Sequence, residues 1–460
     1  MNKFYGMILM VALLAMGSCS TEDLDPTLDQ QKEEGDAIAM VSDLEALLKG
    51  GYNRMSSAGY YGRDYLVTNE VRTPNVFSNG NSGRFTTQAA FEQLPNGIYI
   101  WDNAYGVIAI ANVIIGTDLS TLEGDEATGK HIQGQAYAMR ALAHYDLLLT
   151  YGQQYVGGDL GVPYIKEFKG DNDIPSRESV DSNIENIMSD LQMAYDLMDG
   201  GSFNSGLISS KEFMSKYTAK ALESRVAVQF EMWEEARDAA EIVINSGNYS
   251  IVPASDYVSS FDVDGGSNSI FEIAQSDVDY PGSDRIDFIY RGLTYGDIEV
   301  IPAVLDIYPE ADVRNDILGI ELDRSGAEML RNFGKYPNIA ANIIVIRYEE
   351  VVLNYAEALY ELGETDEALE WLNMLATNRN LAEYSTVTKE DILSERRREL
   401  IFEGLYYWDL LRTGSDIEKV SPLQNISETI PFGDYRLAYP IPLSEIDANS
   451  NMEQNPGYGG

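Results

Sequence analysis

Residues 347–376, RYEEVVLNYAEALYELGETDEALEWLNMLA, decide the fold. Val352, Tyr355, Ala356 and Leu359 share one helical face, Gly363 breaks the chain, and Ala368, Leu372 and Leu375 resume the same period. The pattern predicts two helices joined by a tight turn. Small Ala356 and Ala368 sit where the two helices approach most closely.

Working outward, the same design recurs. Lys216 to Phe230 and Trp233 to Ser246 form a second hairpin, with Ser224 and Ala236 in the small positions and Gly247 as the stop. Gly134 to Tyr151 reads as a helix closed by Gly152, its partner at Ser182 to Leu197. Asp43 to Met55 and Ile100 to Ile115 read as the helices of a further pair. The 352–375 hairpin is similar to a tetratricopeptide unit of about 34 residues, which buries its apolar face only by stacking on a neighbour, and the 216–246 hairpin repeats it, so a repeat scaffold is expected. A further helix is predicted from Ile392 to Leu411. Two stretches break the pattern: Ser56 to Gly97, polar and aromatic, and Tyr249 to Asn338, rich in Gly, Pro, Asp, Ser and Tyr, with short apolar pieces such as Ile270 to Ile273. Long irregular segments in a compact protein are usually functional or poorly ordered.

At the N-terminus, Lys3 precedes an apolar run, Phe4 to Met16, too short to span a bilayer. Gly17-Ser18-Cys19 follows, and Cys19 is the only cysteine. A lone cysteine in an exported chain has no internal disulfide partner, and its place after two small residues fits a lipobox in which the thiol is acylated. Residues 1–18 thus read as a lipoprotein signal peptide and 19–35 as an acidic tether, leaving 36–460 as a single domain, with an N-terminal part of about 36–250 and a C-terminal part of about 251–460.

Composition excludes more than it identifies. With 74 acidic and 32 basic residues, the formal net charge of -42 repels phosphate backbones, so nucleic acid is excluded as a partner. His131 and His144 belong to no nucleophile–base set, and with Cys19 acylated no catalytic thiol remains. A carboxylate pair for glycoside hydrolysis stays open, because sequence gives no distances. Asp262-Val263-Asp264-Gly265-Gly266 and Asp171-Asn172-Asp173 are similar to calcium loops but lack the closing Glu of a full pattern, so no cofactor or metal is expected beyond incidental calcium. The run Arg396-Arg397-Arg398, flanked by Glu395, Glu399 and Glu403, reads as a structural ion-pair network in preference to an anion site. Trp408 and the Tyr406-Tyr407 pair read as scaffold packing.

Arg347 to Ala358, Glu395 to Gly404 followed by Trp408-Asp409-Leu410-Leu411-Arg412, the ending Pro440-Ile441-Pro442 with Gln454-Asn455-Pro456-Gly457-Tyr458, and upstream Gly134 to Ala141 with Gly161-Val162-Pro163 together resemble the SusD/RagB family of outer-membrane lipoproteins. The resemblance implies a mostly α fold: four tetratricopeptide-like hairpins with an irregular, loop-rich remainder and few short strands. It implies a non-enzymatic surface lipoprotein, anchored through Cys19 and facing the cell exterior, that delivers oligosaccharide to a SusC-like TonB-dependent transporter as its extracellular lid. Peptide cargo, as in the RagB branch, is the alternative, and a lipoprotein hydrolase a more distant one.

The 30 Tyr and 4 Trp supply flat faces for stacking on sugar rings or peptide side chains. Residues in irregular segments are singled out, because helical packing does not already account for them. The family's glycan-binding members draw on these two regions, so the assignment is by region. The first region offers Tyr60, Tyr61, Arg63, Tyr65, Asn79, Asn81, Arg84 and Phe85; the second offers Tyr280, Arg285, Tyr290, Arg291 and Tyr295.

Overall fold

The computed structural model describes residues 38–167, 169, 174–198, 210–278, 282–291, 295–322 and 326–459. The signal segment, Cys19, the 19–35 tether, Tyr280 and Asp171-Asn172-Asp173 lie outside the described residues.

The helices are α1 (Val41–Met55), α2 (Asp64–Val71), α3 (Thr86–Ala89), α4 (Trp101–Gly116), α5 (Glu126–Tyr151), α6 (Val180–Leu197), α7 (Lys216–Gln229), α8 (Trp233–Asn245), α9 (Ile286–Tyr290), α10 (Tyr348–Glu361), α11 (Thr365–Thr377), α12 (Lys389–Leu400), α13 (Tyr406–Arg412) and α14 (Leu443–Ala448). Eight of them form an unbroken stack in which α1 packs on α4, α4 on α5, α5 on α6, α6 on α7, α7 on α8, α8 on α10 and α10 on α11. These are the four predicted hairpins in register, each closing its neighbour's apolar face. Ala356, Ala368, Ser224 and Ala236 are fully buried, and Asn354 Nδ2 donates to Ser224 Oγ at 3.0 Å across two hairpins.

Capping sets where the helices begin. Asp125 Oδ2 accepts from Thr128 N at 2.9 Å, so α5 starts eight residues before the predicted Gly134. Ser215 and Thr218 cap α7, and Thr388 and Asp391 form a reciprocal box on α12. The predicted helix from Ile392 to Leu411 is two helices. Phe402 and Gly404 have φ of 69° and 73°, outside helical space, and a Cβ on Gly404 would stand 3.1 Å from the backbone of Leu66. The break lets α2 lie directly against the chain there.

Three two-stranded antiparallel sheets complete the fold: β1 (Val76–Ser78) with β3 (Ile298–Val300), β2 (Ser269–Ile273) with β6 (Ile343–Arg347), and β4 (Leu318–Leu322) with β5 (Glu328–Asn332). β2 contains the predicted piece Ile270 to Ile273. The C-terminal motif is a clasp, in which Asn455 Nδ2 donates to Tyr151 O at 2.8 Å and Tyr439 O at 2.7 Å, while Arg177 Nη1 donates to Asn455 Oδ1 at 2.8 Å.

Candidate ligand-binding face

The β1–β3 ladder fastens the two irregular regions to each other, with Val76 opposite Val300 and Ser78 opposite Ile298. Beyond it, Asn79 Nδ2 donates to Gly296 O at 2.8 Å and Glu299 Oε1 at 2.7 Å, Asn81 Nδ2 to Tyr295 O at 2.5 Å, and Ser82 N to buried Asp297 Oδ1 at 2.9 Å. Gly80 and Gly83, at φ of 71° and 82°, allow the turn that carries Asn81 and Arg84 back over this edge. From below, Arg331 Nη1 donates to Gly296 O and Ile298 O, each at 2.7 Å.

Asp284 joins the regions a second time. Its Oδ1 accepts from Arg63 Nη1 and Arg84 Nη2, both at 2.7 Å. The Arg84 guanidinium lies 4.7 Å over the Tyr295 ring, Tyr295 meets Phe288 edge-on at 5.5 Å, and Arg285 lies 5.0 Å over Phe288. Burial depresses the Arg63 guanidinium, but its bonds to Asp64 and Asp284 outweigh this and hold its pKa above the usual value. The outcome is a partly exposed face of guanidinium, amide and aromatic groups on a rigid ladder, suited to stacking and to hydrogen bonds with hydroxyl or carbonyl groups.

Both regions therefore meet, but not through every residue singled out. Tyr60, Tyr61, Tyr65, Phe85 and Tyr290 are core residues, which withdraws them from surface contact. Tyr60, Tyr61 and Tyr65 form a ring cluster at 4.8 to 6.0 Å, and Tyr60 Oη donates to buried Asp146 Oδ2 at 2.6 Å. The reason is α2: residues 64–71 of the expected excursion form a helix whose members are almost all buried between the stack and α13. Tyr290 stacks on Tyr336 at 5.8 Å, Phe85 lies under Arg63, and Arg291 leans on Phe333 at 5.8 Å, away from the cluster's contacts. Arg63, Asn79, Asn81, Arg84, Arg285 and Tyr295 remain on the face. Sequence reasoning missed Asp284, Phe288, Asp297 and Arg331: Phe288 had a signal as an aromatic in an irregular stretch, whereas Asp284 was one acid among 74.

His144 is structural. It stacks on Tyr164 at 3.7 Å, its Nε2 accepts from Ile165 N at 3.1 Å, and its Nδ1 sits 3.0 Å from Arg140 O; burial pushes its pKa down to about 3. That arrangement fixes a neutral ring with the proton on Nδ1. Asp262 and Asp264 are engaged by the Asn338 side chain and by Asn342 N. No helix among the described residues is long and apolar enough to cross a membrane.

Two family profiles match the chain: one described as the SusD family over residues 332–458, and one described as starch-binding associating with outer membrane over residues 23–228. A SusD-like protein of Formosa agariphila is 26% identical over 523 aligned positions, covering 99% of this chain and 100% of that one. The starch-binding protein SusD of Bacteroides thetaiotaomicron is 32% identical over 131 residues, 27% of this chain and 22% of its own. The crystal structure of a SusD superfamily protein from Bacteroides vulgatus superposes with a TM-score of 0.84 at 27% identity, covering 92% of this chain and 100% of that one.

Proposed function

We infer, from the premise that this chain belongs to the SusD/RagB family, that it is a non-enzymatic surface lipoprotein that binds oligosaccharide. It passes the cargo to a SusC-like TonB-dependent transporter, over which it acts as the extracellular lid. Acylation of Cys19 holds it at the outer membrane. The observation that carries the binding role is the convergence of Arg84, Arg285, Asn81, Tyr295 and Phe288 on one face at the β1–β3 ladder. The matching profile for starch-binding proteins that associate with the outer membrane, and the similarity to the starch-binding protein SusD of Bacteroides thetaiotaomicron, favour a glycan.

On this reading, sugar rings stack on Tyr295 and Phe288 while Arg84, Arg285 and Asn81 donate to hydroxyls. Individual contacts of this kind are worth about 0.5–1.5 kcal/mol each, so affinity rests on several acting together. Isothermal titration of the purified protein against glycan and peptide panels tests it. Binding of a glycan, weakened at least tenfold by Arg84→Ala, is the expected result; binding of peptides alone overturns the glycan cargo. Co-purification with a transporter barrel tests the lid role, and Cys19→Ala is expected to release the protein from the cell surface without altering its affinity.

A further inference from the structure

The run Arg396-Arg397-Arg398 is an ion-pair network at two of its three positions. Arg396 Nε lies 3.2 Å from Asp409 Oδ2, and Arg398 Nη2 2.6 Å from Glu395 Oε1. Arg397 departs from the expectation, and helical geometry says why: the residues three and four away on either side are Leu393, Ser394, Leu400 and Ile401, with no acid among them. Its Nε and Nη2 both donate to the amide oxygen of Asn75, at 3.0 and 2.8 Å, and the guanidinium lies 4.7 Å over the ring of Tyr406. Among the described residues no carboxylate lies within 4.0 Å of it. Glu70 is reached only through Asn75, whose Nδ2 donates to Glu70 Oε1 at 2.9 Å. With Nε and Nη2 on Asn75 and no carboxylate beside it, Arg397 keeps its charge unneutralised at the cleft it lines.

Arg397 and Tyr406 line an open cleft of about 590 Å³. Pro74, Ala303 and Ile307 complete its lining together with Ser415, Asp416 and Glu418. The loop that carries Asp416 and Glu418 is held in place: Asn425 Oδ1 accepts from Ser78 N and Asn425 Nδ2 donates to Ser78 O, both at 2.9 Å, and Ile417 bridges Ile430. Pro74, two residues before β1, and Ala303, three after β3, put the cleft beside the Val76–Val300 end of the ladder, whereas the face described above lies beyond its Ser78 end. Tyr406, unlike its neighbours Tyr407 and Trp408, is not buried in the scaffold.

We propose that this cleft is a second saccharide-binding site that takes a neutral sugar unit. The inference rests on the glycan reading of the protein and adds to it a separate site. A planar guanidinium and an aromatic ring offer donors and a stacking face, while Glu418 and Asp416, whose Oδ1 already accepts from Phe432 N at 2.8 Å, offer acceptors in the same lining, a combination that suits vicinal hydroxyls. The same two carboxylates, in a chain of net charge -42, repel a uronate or sulfated sugar.

The test is titration of the full protein with a fixed panel of neutral α- and β-linked hexose oligomers and with oligogalacturonate. Tyr406→Leu and Glu418→Gln are compared with the parent; Glu418 is exposed, so that variant keeps the fold intact whatever happens at Tyr406. The expected result is at least fivefold weaker binding of a neutral oligomer by both, with unfolding curves unchanged for Glu418→Gln. If Arg84→Ala weakens binding while both cleft variants match the parent, the second site is overturned and the glycan reading stands. If the parent binds no member of the panel, the glycan reading falls and the second site with it. Binding of oligogalacturonate that depends on Tyr406 overturns the neutral class.

Discussion

Arginines gather around carboxylates in two places in this protein, and the two gatherings do opposite work. Around Glu399, Oε1 accepts from Arg347 at 2.7 Å and Arg379 at 2.9 Å, and Oε2 from Arg379 at 2.9 Å and Arg314 at 3.2 Å, with all four side chains fully buried. Glu349, Glu395, Glu403 and Asp312 pair with the same arginines, and backbone carbonyls such as Val252 O take further donors. Around Asp284, two arginines share one oxygen, but Asp284 is 46% exposed and Arg84 27%. Both places pair guanidinium groups with a carboxylate at 2.7 to 3.2 Å, and beyond the number of partners it is solvent that differs. A buried network has no water to fall back on and so fixes the fold, whereas an exposed one is screened, tolerates exchange of partners, and leaves donors open to a ligand.

The most severe way to break the comparison is to remove the buried carboxylate. Glu399→Leu leaves three buried guanidinium groups short of an acceptor, and breaking a buried pair of this kind costs about 3–5 kcal/mol. Denaturant unfolding should show that loss; a change below about 1 kcal/mol would mean the network relaxes around the gap. Acid tests the same groups without mutation. Although burial alone would raise them, the surrounding cations hold Glu399 well below, and Glu395, Glu403 and Asp409 below, their ordinary values. Their contribution is therefore fully present above the ordinary carboxylate range and is lost as pH falls below about 4. Stability should decline steeply there.

Asp146 carries the opposite sign. Burial pushes it up to about 7, against the hydrogen bond from Tyr60 that lowers it. A raised acid favours the folded state while protonated, and that contribution is lost as pH rises from about 4 through 7. Asp146→Asn keeps a neutral acceptor for Tyr60, so it should flatten the pH dependence between 4 and 7 and leave the variant more stable at pH 8, by an amount of the order of 2 kcal/mol. A variant less stable at pH 8 would show the carboxylate to be ionised and well paired.

Arg84→Ala comes next, now read as stability. The 2.7 Å partner of Arg84, Asp284, is partly solvated and its pair with buried Asp297 is long, at 3.6 Å, so a loss under about 1 kcal/mol in unfolding should accompany the tenfold, or about 1.4 kcal/mol, loss in ligand affinity. Arg347→Met should reverse the pattern, with a large loss of stability and, wherever the chain still folds, unchanged affinity. Proportional losses in both variants would erase the distinction between the two gatherings.

The same distinction marks what could be read in the sequence. The helix stack was legible because its signal is local: Val352, Tyr355 and Leu359, or Ala368, Leu372 and Leu375, repeat within one turn or two. The break at Phe402–Gly404 was not, since it answers a partner, Leu66, more than 300 residues away. The convergence of the two irregular regions was legible only as a shared lack of periodicity. Which tyrosines stay wet was not legible at all: Tyr60 and Tyr295 look alike in sequence, and only the placement of α2 sends the first into the core beside Asp146. Arg397 is an intermediate case, because the absence of an acid three or four residues away could be counted in advance, but its stack on Tyr406 could not.

Asp284→Asn should have the smallest effect, and it bears most directly on the contrast. Asparagine keeps an oxygen where Arg63 and Arg84 now converge and removes only the charge. At an exposed site the charge is worth about 0–1 kcal/mol and is screened by salt, so unfolding at low ionic strength should shift by a few tenths of a kcal/mol and, above about 0.5 M salt, by nothing measurable. Affinity should hold or rise slightly, since Arg84 loses a competing partner and gains freedom to donate to ligand. The equivalent Glu399→Gln should be costly at any salt concentration, because its surroundings admit no counterion. If Asp284→Asn instead destabilises by about 2 kcal/mol, independent of salt, then the exposed cluster is a second structural clamp, and the ligand must find its donors elsewhere on the face.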